Sequence, residues 1–195
     1  MISYLLEQVD EPATEPVSLA EAKMAARVLH DDEDDLFTHL IAAATGLVDG
    51  PFGYLGQAII TQSWRVSYPQ GAVNGNAALA LPFGPVASIV SIKTYDGTTL
   101  SDDIKADFDL FKDRFNARIK PKTGNNWPAL ADREDALQIE YIAGEDAAKA
   151  SIKHALLMII AHWYENRETV LVGSITKEIE YGALALLQNE RRGFL

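Results

Sequence analysis

The chain has 195 residues, of which 48% are hydrophobic and 23% charged, with no cysteine. That composition is globular and excludes wholesale disorder, disulfide scaffolds, thiolate zinc sites and cysteine nucleophiles. The net charge of −11 argues against a protein that grips nucleic acid by its phosphates, which needs clustered Lys and Arg, but not against one that surrounds nucleic acid without holding it. The excess is uneven. Residues 1–50 carry 11 acids and 2 bases, residues 51–100 carry 1 and 2, residues 101–150 carry 11 and 8, and residues 151–195 carry 5 and 5. The longest uninterrupted apolar run, Ala155–Ala161, is seven residues, far below the roughly 20 that span a bilayer. Met1–Asp10 holds acids and no bases, unlike a secretory signal.

Residues 1–17 have two prolines, four acids and no clear period, and read as an extended arm. Ser18-Leu19-Ala20-Glu21 has the spacing of a capping box, and Leu19, Ala22, Ala26 and Leu29 predict a helix to about His30. Five acids, Asp31–Asp35, precede a second helical pattern of Leu36, Phe37, Leu40, Ile41, Ala44, Leu47 and Val48, ended by Gly50-Pro51. Acids at that helix start match its dipole. The pair predicts an αα-hairpin.

The period then changes. Ser63–Tyr68 alternates, Leu79–Leu81 is a short apolar piece, and Val86–Tyr95 alternates up to the Asp96-Gly97 turn. Phe108–Phe111 and Arg114–Lys120 suit a hairpin, and Leu137–Ile142 is a further strand ended by Gly144. Helical spacing returns after Glu145 or Asp146, either of which can cap a helix to about Glu168, and Ala155–Ala161 is apolar all round, the mark of a helix buried on most sides. Val170–Ile175 reads as a loop, and a last short helix spans about 179–189. The predicted fold is α+β: a helical core from N- and C-terminal helices, with Leu36, Leu40, Leu157 and Trp163 packing it, and a small antiparallel β-sheet inserted. Its segments are an arm at 1–17, a helical hairpin at 18–57, a β-rich region at 58–144, helices at 145–189 and a tail at 190–195.

Chemistry is sparse. His154, Met158 and His162 share a helix face, but imidazoles eight residues apart lie roughly 12 Å apart along the axis and do not share a metal. His162-x-x-Glu165 has no second such pair. Asp31–Asp35 lacks the spacing, glycine and distant Glu of a calcium loop. The glycines of 50–56 have no Lys and no strand-to-helix context for phosphate. No catalytic residue, metal ligand or cofactor site is assigned. Lys112, Arg114, Arg118, Lys120 and Lys122 form one basic cluster, read either as a solvated hairpin or as a contact for an acidic partner or a DNA backbone. Trp163 and Tyr164, followed by Arg167, suit core packing or an interface.

Several stretches together resemble tailed-phage head–tail connector (adaptor) proteins, in the subgroup with a β-rich insertion. They are Pro16–Lys23 with Arg27-Val28, Asp31–Asp35 and Leu40–Ala44; Thr61–Arg65; Leu81–Val86 running into Ile89–Tyr95; Ile139–Gly144; Ile152–Ala155 through His162–Glu168; and Gly182–Leu187. The chain departs from the family at Ala148-Lys149, where a proline is common, and after Leu187. The resemblance implies a structural, non-enzymatic virion protein, made in the bacterial cytoplasm and housed in a phage or gene-transfer-agent neck. It implies a homo-oligomeric ring, a dodecamer, that sits under the portal protein and offers a platform to a tail or stopper protein. DNA would pass without sequence-specific binding, and no membrane is involved. Lys112, Arg114, Arg118 and Lys120 are then expected at a subunit interface facing acids of 31–35 or 102–109. Arg191, Arg192 and Phe194 are expected to dock a tail, mobile in the free subunit like Met1–Val17, onto the portal. Rival readings are a tail-completion protein, a monomeric binding module, or a hydrolase using His and carboxylates.

Overall fold

The helical and the alternating stretches sort into separate units in the computed structural model, which describes residues 3–167 and 175–192, with side chains omitted at 175–181. One unit comprises Met1–Ala13 and Thr61–Glu145, the other Thr14–Ile60 and Asp146–Leu195. The fold is α+β, as the sequence predicts.

The sheet unit holds β1 (Leu5–Asp10), β2 (Gln62–Tyr68), β3 (Leu79–Leu81), β4 (Val86–Asp96), β5 (Thr99–Leu100), β6 (Phe108–Lys112), β7 (Ala117–Pro121) and β8 (Leu137–Ala143). Five form an antiparallel sheet in the order β1-β2-β8-β4-β5, and three form a second sheet in the order β3-β7-β6. In β8 burial alternates, with Leu137, Ile139, Tyr141 and Ala143 inward. Across the same sheet Glu7, Arg65 and Glu140 stand in register on adjacent strands, and Arg65 pairs with both carboxylates at 3.4 and 3.2 Å. For residues 5–10, β1 corrects the sequence reading of a mobile arm. It bonds to the open edge of β2 with mostly exposed side chains, so its order comes from main-chain pairing and leaves little apolar period to read.

The helical unit holds α1 (Leu19–Ala25), α2 (Asp34–Val48), α3 (Ala150–Glu165) and α4 (Ile175–Gln188). The capping box forms: Glu21 N–H donates to Ser18 Oγ at 3.3 Å and Ser18 N–H to Glu21 Oε2 at 2.9 Å. α1 stops five residues earlier than its period suggests. Arg27 adopts a left-handed φ of 59°, Val28 N–H closes back on the Lys23 carbonyl at 2.9 Å, and Val28 turns into the core. Leu29, expected on the apolar face, is therefore 96% exposed. In α2 the buried stripe is Phe37, Ile41, Ala44 and Val48. Leu40 is half-buried against that core, Leu36 is half-buried, and Leu47 is exposed, contrary to expectation. Beyond α2 the chain doubles back, and a Cβ at Gly53 would collide with the Asp49 carbonyl.

α3 packs Ile152, Ala155, Leu156 and Ile160 inward, with Leu157 and Trp163 half-buried against the same cluster. It begins at Ala150, not at a cap on Glu145 or Asp146, because the Glu145 carbonyl accepts the Thr61 N–H at 3.0 Å and holds that segment in bridge geometry. Against α3 lies α4, where a Cβ at Gly182 would approach Met158 Cε to 3.1 Å. α4 starts earlier than the sequence suggests, at Ile175. Most of the expected loop, 170–174, lies outside the described residues.

Residues 190–192, the described part of the expected tail, correct a second expectation. Glu190 is bound, not loose: the Gln57 amide donates to its carbonyl at 2.7 Å, Ser151 Oγ donates to its carboxylate at 3.3 Å, and Lys149 Nζ lies 3.3 Å away. Arg192 N–H donates to the Leu55 carbonyl at 3.0 Å.

Two outcomes follow from this packing. Leu156→Ala should cost about 2–5 kcal/mol, the range for a buried leucine, and Leu157→Ala distinctly less, read from urea midpoints at unchanged slope. Deleting residues 190–195 should lower the melting temperature by several degrees, because the buried Gln57 amide loses its acceptor, at about 1–3 kcal/mol. An unchanged melting curve would show that Glu190 does not hold the end of the chain.

Candidate assembly surfaces

Charged side chains divide into those engaged by the fold and those that face solvent. In the turn between α1 and α2, Lys23 Nζ donates to Asp31 and Asp34, both at 2.6 Å. The Tyr164 hydroxyl donates to Glu33 at 2.5 Å and Arg167 donates to its other oxygen at 2.6 Å. Tyr164 also stacks on Phe37, ring centroids 4.7 Å apart. These hydrogen bonds hold the Glu33 and Asp31 carboxyls below the usual carboxylate range. Asp32 and Asp35 remain exposed, the former 3.7 Å from His30 Nδ1. The acid run is thus partly a structural device, and its outward acids follow the exposed Leu29 within six residues of sequence.

The five hairpin bases do not form one patch. β7 alternates, with Ala117, Ile119 and Pro121 inward and Arg118, Lys120 and Lys122 outward. Register sets Arg118 opposite Phe111 and Lys120 opposite Asp109, and Ala80 of β3 opposite Arg118. Phe111 is 48% exposed. Lys112 stands opposite Ala117, in register with the inward row, and donates to the Ala87 carbonyl at 2.7 Å. Lys122 donates to the Ala106 carbonyl at 2.6 Å. Arg114 sits in the turn, 4.8 Å above the Phe115 ring, and Asp113 closes that turn by accepting the Phe115 and Asn116 N–H groups. Arg118 and Lys120 are exposed; the charge of Arg118 helps to lower the Asp113 carboxyl, after the Phe115 and Asn116 N–H groups, and Lys120 stands opposite Asp109. At the other end of the chain Arg191 lies 5.1 Å over the Tyr54 ring, and Phe194 lies outside the described residues. Sequence reasoning missed Leu29 and Phe111. The first was hidden by an unforeseen positive φ, the second by the hairpin register.

In the sheet unit one hollow of about 210 Å³ lies between β4 and the β6–β7 hairpin, lined by Ile89, Ile92, Phe108, Leu110 and Ile119 with Lys105 at its side. A shallower one of about 450 Å³ lies beside Gly71–Gly75 and Trp127–Leu130. Among the described residues no three His, Asp or Glu side chains converge as metal ligands. His162 Nδ1 lies 3.0 Å from the Asn166 amide of its own helix end. No described helix is long and apolar enough to cross a membrane.

No family model and no curated protein matches the sequence. Solved structures do match. A chain in the neck of an empty GTA particle, computed with C6 symmetry, has a TM-score of 0.72 at 19% identity, over 98% of this chain and 97% of that one. A chain in the virion of a native gene transfer agent particle gives 0.71 with the same identity and coverage. One in the neck of the native particle, computed with C12 symmetry, gives 0.69. At that identity the likeness shows a shared fold across nearly the whole chain.

Glu21 offers a test of the ionic links within the helical unit. Its hydrogen bond with Lys153, 2.8 Å long, and then those with Ser18, lower its pKa from 4.5 to about 2. A depressed folded pKa stabilises above the unfolded value and loses that contribution as pH falls through the folded one. Stability should therefore drop between pH 4.5 and about 2, and Glu21→Gln should flatten this part of the profile, measured by thermal melts across the window. An identical slope in both proteins would remove Glu21 from that role.

Proposed function

We propose that this chain is a structural subunit of the neck of a tailed phage or gene-transfer-agent particle. In this reading it is a head–tail connector that forms a ring between portal and tail and extends the DNA channel. The observation that carries this is the end-to-end match of its fold to chains in GTA neck structures treated with sixfold and twelvefold symmetry. The same connector resemblance runs through its sequence, in the order and spacing of the Pro16–Lys23, Leu81–Tyr95 and Ile152–Glu168 stretches.

The chemistry is consistent with a passive part. A net charge of −11 repels phosphates, so DNA moving past such a wall is not held in transit. Ionic contacts link this chain's own helices, as at Glu21–Lys153 and Glu33–Arg167, which is structural work and not the poise of an acid–base pair. The portal is the expected partner on one side of the ring, and a tail or stopper protein on the other.

Light scattering tests the reading. Alone or on the portal of its own particle, the protein should assemble to a mass of about twelve times the 21.4 kDa chain, and electron microscopy of those assemblies should show a ring with an open channel. A protein that stays monomeric with and without portal would overturn it.

A further inference from the structure

We propose that self-association of this chain is head-to-tail and joins two unlike patches. The outer face of the β6–β7 hairpin, Phe111 with Arg118 and Lys120, docks on the α1–α2 turn and the start of α2 of a second copy, Leu29 with Asp32 and Asp35. This rests on the ring reading and gives it a contact.

Each patch has the same construction. A large apolar side chain, Leu29 at 96% exposure or Phe111 at 48%, is left facing solvent beside charges of mainly one sign. On the hairpin the cations are Arg118 and Lys120, with Lys122 on the same strand face, Arg114 in the turn, and Asp109 and Asp113 as the nearby acids. On the turn the outward anions are Asp32 and Asp35, backed by Asp31, Glu33 and Asp34. Lys23 and Arg167 engage those three, and Arg27 and His30 lie alongside. An apolar anchor within a charged rim is the arrangement of a specific protein contact.

The signs choose the partner. Two copies meeting like-to-like at either patch would set cation against cation or anion against anion, which costs free energy. Complementarity arises only when the two different patches meet, and both belong to one sequence. Repeated from one copy to the next, that pairing is the heterologous contact that builds rings. Lys112, in the inward row and bonded to the Ala87 carbonyl, lies outside this patch, and Lys122, bonded to the Ala106 carbonyl, is its less important member. This differs from a simple count of nearby charges.

The experiment uses the full chain in three forms: the parent, Arg118→Glu/Lys120→Glu, and Asp32→Lys/Asp35→Lys. All four positions are exposed, so circular dichroism and melting should match the parent. Arg118→Gln/Lys120→Gln serves as a milder form should the reversal disturb folding. By sedimentation and light scattering, each reversed protein should self-associate at least tenfold more weakly than the parent. An equimolar mixture of the two should regain the parent's mass, since the reversed patches complement each other. Leu29→Ser and Phe111→Ser should each weaken association too, and mixing them should restore only part of it. Rings from both reversed proteins equal to the parent's, or a mixture no stronger than its components, would overturn this contact and leave the ring reading standing. A parent that is monomeric at the highest soluble concentration and on the portal would overturn both.

Discussion

The helical unit depends on one requirement: α3 is apolar around most of its circumference and has to be covered on several sides. Its inward residues, Ile152, Leu156 and Ile160, meet Phe37, Ile41 and Ala44 of α2, more than a hundred positions earlier, and Ala183 and Leu187 of α4 after it. A helix of that kind does not close by local contacts, so both ends of the chain are recruited to one core. Polar links fix the alignment that apolar burial leaves loose. Glu21 caps α1 and reaches Lys153, and Glu33 receives Tyr164 and Arg167. The strands run from Thr61 to Glu145 as an insertion within that recruited pair, with β1 added from the start of the chain.

What could be read from the sequence follows from how locally each element is determined. The capping box at Ser18 and Glu21, the alternation of β8 and the hairpin after Lys105 were legible because each is written within a few residues. β1 was not, since an edge strand with both faces wet needs no apolar alternation and is ordered by the free main chain of β2. The end of α1 was hidden because Arg27, with no glycine signal, takes a left-handed φ so that Val28 can be buried. The start of α3 was hidden by a pairing with Thr61, eighty-odd residues away in sequence. The candidate surfaces were the least legible part. Five bases in eleven residues look like one patch, yet a period of two and the β6–β7 register send Lys112 and Arg118 to different rows.

The same division between engaged and outward charge bears on how the fold and the proposed assembly respond to salt. The engaged carboxylates, Glu21 with Lys153, Asp113 with the Phe115 and Asn116 N–H groups, and Asp135 with Arg133, all titrate below their ordinary range because donors are bound to them. Each is a direct hydrogen bond of about 2.8–2.9 Å, within which no screening ion fits. Outward charges such as Asp32, Asp35, Arg118 and Lys120 act across solvent, where screening over about 8–10 Å at ordinary ionic strength removes most of their reach. Salt should therefore act on association well before it acts on the fold. In the proposed ring, ionic changes that loosen the contacts between subunits would leave the shape of each subunit in place. That separation follows from which acids received donors and which did not, and it is invisible in the net charge of −11.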